Sequence, residues 1–168
     1  MNRQTVDLYR AMSAQVSADS ITRWLKEMIA IPSENPMADA ARPGHREQEI
    51  GEYYLEQMRQ LGLTVGSREA APGRPNVFGT RAGSKDHPSL MLCGHLDTVP
   101  TEGYEEPYVP HERDGRIYGR GSCDMKAGLA CYLEVARLLQ NAEVTLSGSL
   151  ILCGVADEEW QMIGSREI

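Results

Sequence analysis

No apolar run in the 168-residue chain approaches the ~20 residues that cross a bilayer, and Met1-Asn2-Arg3-Gln4 leads into no signal-peptide core. No membrane partner is expected, and the cytoplasm is the default compartment. Positive charge is also short: 17 Lys and Arg stand against 24 Asp and Glu, for a net charge of −7. That balance disfavours nucleic-acid binding, which rests on cations neutralising phosphates. Cysteine is sparse and unpaired. Cys93, Cys123, Cys131 and Cys153 lack the short spacing of a zinc knuckle or a redox motif. The first and last sit in strand-like apolar runs and Cys131 in a helical one, so these three read as small buried hydrophobes. Cys123, next to Asp124, is expected to be partly exposed and is the candidate reactive thiol. A phosphate loop is wanting too: Gly119 and Gly121 let backbone approach something closely, but neither a Lys-Ser/Thr ending nor a full dinucleotide fingerprint follows.

What is present is ordinary globular composition, 24% charged and 41% hydrophobic, in a chain long enough to bury roughly 70% of its unfolded surface as one domain. Thr5, Tyr9, Met12 and Val16 form a narrow stripe, so residues 1–18 read as a loosely packed leader helix without chemistry. Asp19 or Ser20 can cap a helix that buries Ile21, Trp24, Leu25, Met28 and Ile29. Ile31-Pro32-Ser33-Glu34-Asn35-Pro36 ends it, either as a plain helix stop or as a substrate-side wall. A second helix is expected from about Arg46 to Leu61, with Ile50, Tyr54, Met58 and Leu61 inward and Gly62 as its stop. Leu63-Thr64-Val65 and Asn76 to Thr80 read as short strands, and Asp114-Gly115 as a hairpin turn. Leu90 to Gly94 and Ser149 to Val155 are continuous apolar runs, read as buried central strands. A third helix follows Asp124-Met125-Lys126, burying Leu129, Leu133, Ala136 and Leu139. Strands alternating with helices predict an α/β fold, a three-layer sandwich with a mixed, largely parallel sheet.

Chemistry-bearing residues collect at the ends of these elements. His95 and Asp97 follow the first apolar run at i and i+2, so they face the same side of an extended chain. An imidazole with a nearby carboxylate suits a metal ligand and the group that fixes its tautomer. Asp124 stands at a helix start, where it is either an N-cap or a ligand. Asp157-Glu158-Glu159 ends a core strand, where three consecutive acids are not an ordinary solvated run. Imidazole and carboxylate donors without paired thiolates suit Zn²⁺, Co²⁺ or Mn²⁺, and carboxylates gathered in one pocket need a cation.

Three ordered blocks carry a resemblance: Gly94-His95-Leu96-Asp97-Thr98-Val99-Pro100, Gly119-Arg120-Gly121-Ser122-Cys123-Asp124-Met125-Lys126 and Asp157-Glu158-Glu159. They are similar to the signature blocks of the dinuclear zinc aminoacylase and carboxypeptidase family, which includes acetylornithine deacetylase and succinyl-diaminopimelate desuccinylase. Ile31-Pro32-Ser33 and Pro75-Asn76-Val77 fit as well. The resemblance implies that His95 binds one zinc ion, Asp97 orients it, Asp124 bridges two ions and Glu159 holds the second. It also implies that the peptide bond after Asp124 is often cis, and that Glu158 is the general base for hydrolysis of an N-acyl amino acid or small peptide by a metal-bound hydroxide. Met162 and Gly164 after the acids lean toward the acetylornithine or succinyl-diaminopimelate branch.

Members of that family are usually more than twice this length and often homodimeric. The resemblance makes residues 19–168 the first part of an incomplete metallohydrolase catalytic domain. A further acidic ligand, a distant histidine and a smaller inserted domain are expected beyond it, and His45, His87 and His111 are expected to be surface residues. The isolated chain is therefore expected to be an impaired amidohydrolase; the alternatives are an inactive remnant or binding partner of a longer relative, and a nucleotide-binding α/β domain.

Overall fold

The computed structural model describes residues 3–37, 47–84 and 87–168. The described residues form four α-helices, α1 (Arg3–Ser13), α2 (Ala18–Ile29), α3 (Glu47–Gln60) and α4 (Lys126–Asn141). The strands are β1 (Thr64–Ala71), β2 (Arg74–Arg81), β3 (Leu90–His95), β4 (His111–Arg113), β5 (Arg116–Tyr118) and β6 (Leu150–Val155), and a 3-10 turn covers Gly164–Glu167. The main sheet runs β1-β2-β6-β3. β3 and β6 are parallel, with His95 level with Val155, so the chain leaves both strands at one edge of the sheet. This edge, the carboxyl end of a parallel pair, is where open α/β sheets place their chemistry. β4 and β5 form the expected hairpin, its turn made by Asp114 (φ 53°) and Gly115 (φ 70°).

Helix positions follow the apolar periodicity. α2 buries Trp24, Leu25, Met28 and Ile29, and α3 buries Ile50, Tyr54 and Met58 before Gly62 (φ 77°) turns the chain. α4 buries Leu129, Leu133 and Ala136, and these side chains share one core with Val77, Leu150 and Leu152 of the sheet. The α2 cap sits earlier than expected: Ser17 Oγ accepts the Ser20 N–H at 3.1 Å, so neither Asp19 nor Ser20 is the cap. Asp124 does not cap α4 either; Met125 occupies that position with no side-chain cap bond.

The layering is α/β and the sheet mixed, as expected, with two of its three pairings antiparallel and only β3–β6 parallel. α2, α3 and α4 all contribute to the core packed with the sheet. The strand order corrects the reading of β3 as a buried central strand. β3 is an edge strand among the described residues, with Leu90 60% and Met91 43% exposed. Cys93 is exposed for the same reason. Cys131 is also exposed, on the outer side of α4, so only Cys153 is the buried thiol expected of three. His87 and His111 are surface residues, and His45 lies outside the described residues.

Lys126 ties two helices together beneath the site. Its side chain is buried, and Nζ donates at 2.9 Å to both Met28 O and Ile31 O, at the end of α2. Burial pushes its pKa down from 10.5 to about 7. Across that window the unfolded chain holds a proton that the folded chain does not, so stability rises with pH from about 7 toward 10.5. Urea unfolding at pH 7 and pH 9 is expected to show that rise in the wild type. The difference is expected to be reduced in Lys126→Met.

Candidate metal centre

His95 is the last residue of β3, and its ring is buried. Nδ1 lies 2.9 Å from the main-chain carbonyl of Asp97, which makes it the proton-bearing nitrogen and turns Nε2 toward the cleft. Nε2 meets Asp124 Oδ1 at 3.0 Å and Glu158 Oε2 at 3.8 Å. Burial acts to lower the His95 pKa, but Asp97 and Asp124 outweigh it and raise the value to about 9. The surrounding carboxylates thus favour positive charge at the His95 ring.

Asp97 does more than orient the imidazole, and does that mainly through its backbone. Its carboxylate is 3.6 Å from His95 Nδ1, longer than the bond Nδ1 makes to the carbonyl. Its oxygens instead accept the Glu158 N–H at 3.0 Å and the Glu159 N–H at 3.1 Å. Asn35 Nδ2 donates to the same carboxylate at 2.6 Å. Burial raises the Asp97 pKa, and His95, Asn35 and these two N–H groups together lower it below the usual range. One buried carboxylate thus locks the strand end that carries His95 to the turn that carries both glutamates.

The loop 31–36 is part of this support. Asn35 N–H donates to Thr98 O at 2.8 Å and Thr98 N–H to Ser33 O at 2.9 Å, so the loop pairs with the strand end just past Asp97. Asn35 also donates to Asp157 Oδ1 at 2.9 Å. Asn76, at the start of β2, holds the far side of the turn, accepting the Ala156 N–H at 3.1 Å and donating to Gly164 O at 2.8 Å. Sequence reasoning assigned no role to Asn35 or Asn76. The available signal was an amide flanked by prolines, at Asn35-Pro36 and Pro75-Asn76, where the backbone is stiff and a side chain is held in place.

Among the described residues, His95, Glu158 and Glu159 each bring one ligand atom within 4.8 Å of the others. Asp124 joins through His95, with its own side chain 75% exposed. The Asp124–Met125 peptide bond is cis, as the resemblance implies. Burial raises the Glu159 pKa; Asp124, Asp97 and Glu158 add to that effect, while His95 opposes it. Repulsion of that kind is relieved by a cation. Gly119, Arg120, Gly121, Ser122 and the exposed Cys123 line a cleft of about 260 Å³ with Asp124 and Glu159, so the glycine rim forms a wall of this site. The donor set of one imidazole nitrogen and carboxylate oxygens fits Zn²⁺, Co²⁺ or Mn²⁺.

Residues 91–168 match Peptidase family M20/M25/M40. The chain is 35% identical to the N-formyl-4-amino-5-aminomethyl-2-methylpyrimidine deformylase of Bacillus subtilis, over 76% of this chain and 31% of that protein. It is 40% identical to the succinyl-diaminopimelate desuccinylase of Methylibium petroleiphilum, over 62% of this chain and 29% of the relative. The fold superposes on a tripeptidase from Staphylococcus aureus with a TM-score of 0.72 at 28% identity, covering 91% of this chain and 40% of that one. The chain spans under a third of the length of these two curated relatives. The matched segment contains His95, Asp97, Asp124, Glu158 and Glu159, and the resemblance drawn from three motifs is upheld: residues 91–168 carry the match to peptidase family M20/M25/M40.

Proposed function

We propose that the chain is part of a metal-dependent hydrolase of amide bonds in N-acyl amino acids or small peptides, with residues 19–168 forming the metal-binding region and 1–18 a leader. The observation that carries this reading is the convergence of the His95 imidazole with the Glu158 and Glu159 carboxylates, one ligand atom from each within 4.8 Å of the others, beside Asp124. His95, Asp124 and Glu159 would hold divalent ions, two zinc ions in the complete family arrangement, with cobalt or manganese also suited. Such ions polarise an amide carbonyl and bring the pKa of water toward neutrality. Glu158, on the open side of the cluster, takes the proton from the attacking water and passes it to the leaving amine. Asp97 holds the turn, and the cleft beside Glu159 receives the substrate. The names of the relatives, a desuccinylase, a deformylase and a tripeptidase, support a small acylated amine or peptide as substrate. Four free thiols support a reducing, cytoplasmic setting.

Cobalt is expected to raise the melting temperature of the chain, by about 2.7 kcal/mol of stability at a hundredfold excess over Kd, and EDTA to reverse the effect. His95→Ala should abolish the response. A wild-type chain indifferent to both cobalt and zinc, and inert toward N-acetyl-ornithine and N-succinyl amino acids, would sink the enzyme reading. The open β3 edge, with exposed Leu90 and Met91, favours a second reading in that case: a non-catalytic partner of a longer relative.

A further inference from the structure

Arg74 opens β2, and the antiparallel register that pairs Val77 with Gly154 brings it, continued by three residues, opposite Asp157. Arg74 Nη2 stands 2.8 Å from Asp157 Oδ1, and its Nε contacts Glu47 Oε2. The side-chain exposures are 12% for Arg74, 0% for Glu47 and 2% for Asp157, so the three charges share a site almost without water. A buried ionic cluster of this kind is weak evidence of stabilisation, since apolar residues of the same volume often do as well. What it holds is more informative.

It holds the turn that follows β6. Asp157 is left-handed, with φ 62°, a conformation disfavoured for a residue with a Cβ. Glu47 Oε1 accepts its N–H at 2.9 Å. Asp157 Oδ2 accepts the N–H groups of Gln161 at 3.2 Å and Ile163 at 3.4 Å, closing the turn ahead of it. Oδ1 shares the Asn35 amide with Asp97, and Asp97 takes the next two N–H groups, those of Glu158 and Glu159. Glu47 and Arg74 touch this assembly at Asp157, from α3 and β2.

We infer that Glu47 and Arg74 are positioning residues, which fix Asp157 in its left-handed conformation and so aim the Glu158 and Glu159 carboxylates at His95. This rests on the reading of His95, Asp124 and Glu159 as metal ligands. Arginine is required because its planar fork serves two carboxylates from different nitrogens, whereas lysine offers a point charge.

The test compares Arg74→Lys, Arg74→Met and Glu47→Gln with Leu133→Ala, which weakens the core in α4 away from this turn. Two readouts are taken: cobalt titration followed by visible d–d absorption, and amide hydrogen exchange at Glu158 and Glu159 in the metal-free chain. Arg74→Met and Glu47→Gln are expected to weaken cobalt binding by about 10–100-fold, alter the d–d bands and speed exchange at both amides. Arg74→Lys should recover part of the affinity. Leu133→Ala should lose thermal stability while keeping cobalt affinity near the wild-type value. Where Arg74→Met does not fold, Glu47→Gln and Arg74→Lys decide on the same readouts. Wild-type affinity and exchange in Glu47→Gln and the Arg74 variants would overturn the positioning role alone, as would an equal loss of cobalt affinity in Leu133→Ala. A wild-type chain that takes up no cobalt would overturn the metal reading and this inference together.

Discussion

Glu158→Gln is expected to lower kcat for amide hydrolysis by about 10²–10⁴ while leaving cobalt binding close to the wild-type level. The substitution preserves shape and removes basicity. The Glu158 backbone N–H remains on Asp97 at 3.0 Å, so the turn that presents Glu159 is kept. The side chain itself is half exposed, with Oε2 3.8 Å from His95 Nε2, the placement of a group that meets solvent and substrate. His95→Ala should differ, losing metal and activity together because it removes the imidazole donor. Steady-state hydrolysis of N-acetyl and N-succinyl amino acids, paired with cobalt titration of each variant, separates the two. Full activity in Glu158→Gln would place the base elsewhere.

Metal affinity should climb by about tenfold per pH unit from pH 6 to about 9, roughly 10³-fold across the range, and then level. The cause is the proton on His95. Burial favours the neutral ring, but Asp97 and Asp124 prevail and hold the pKa at about 9. A metal ion must displace that proton below pH 9, and above it no proton remains to displace. Asp124→Asn removes one of the charges that raise the value, so its affinity profile should level at lower pH even though its best affinity is weaker. Cobalt titrations at half-unit intervals of pH measure both profiles. A flat profile for the wild type would show that His95 is not the displaced group.

Much of the fold was legible because it depends on local spacing. Trp24, Leu25, Met28 and Ile29 recur at helical intervals and are buried on one face of α2. Asp114-Gly115 makes the hairpin for a reason internal to two residues. Burial of β3 was not legible in this way. Leu90 to Gly94 is apolar enough for a central strand, yet whether a strand is covered depends on which strands lie beside it, and β3 lies at the edge. Cys93 was misjudged with it. The α2 cap was misplaced because Ser17, Asp19 and Ser20 are all capable of capping, and only the path of the chain selects Ser17.

At the site, residue identity set the chemistry before any coordinates: an imidazole and four acids at element ends can do little except bind a cation or a proton. The three motifs named the family, and each contains a residue that the folded chain brings to one edge. How those residues are held was decided only by tertiary structure. Asp97 was expected to orient His95 with its carboxylate, whereas its carbonyl does so and the carboxylate clamps Glu158 and Glu159. Asn35 and Arg74 lie 62 and 83 residues from Asp97 and Asp157 in sequence, as the numbering shows. Hydrogen bonds of buried groups are short-ranged and directional, so their partners are chosen by strand register and loop path, neither of which is written in the spacing of any single motif.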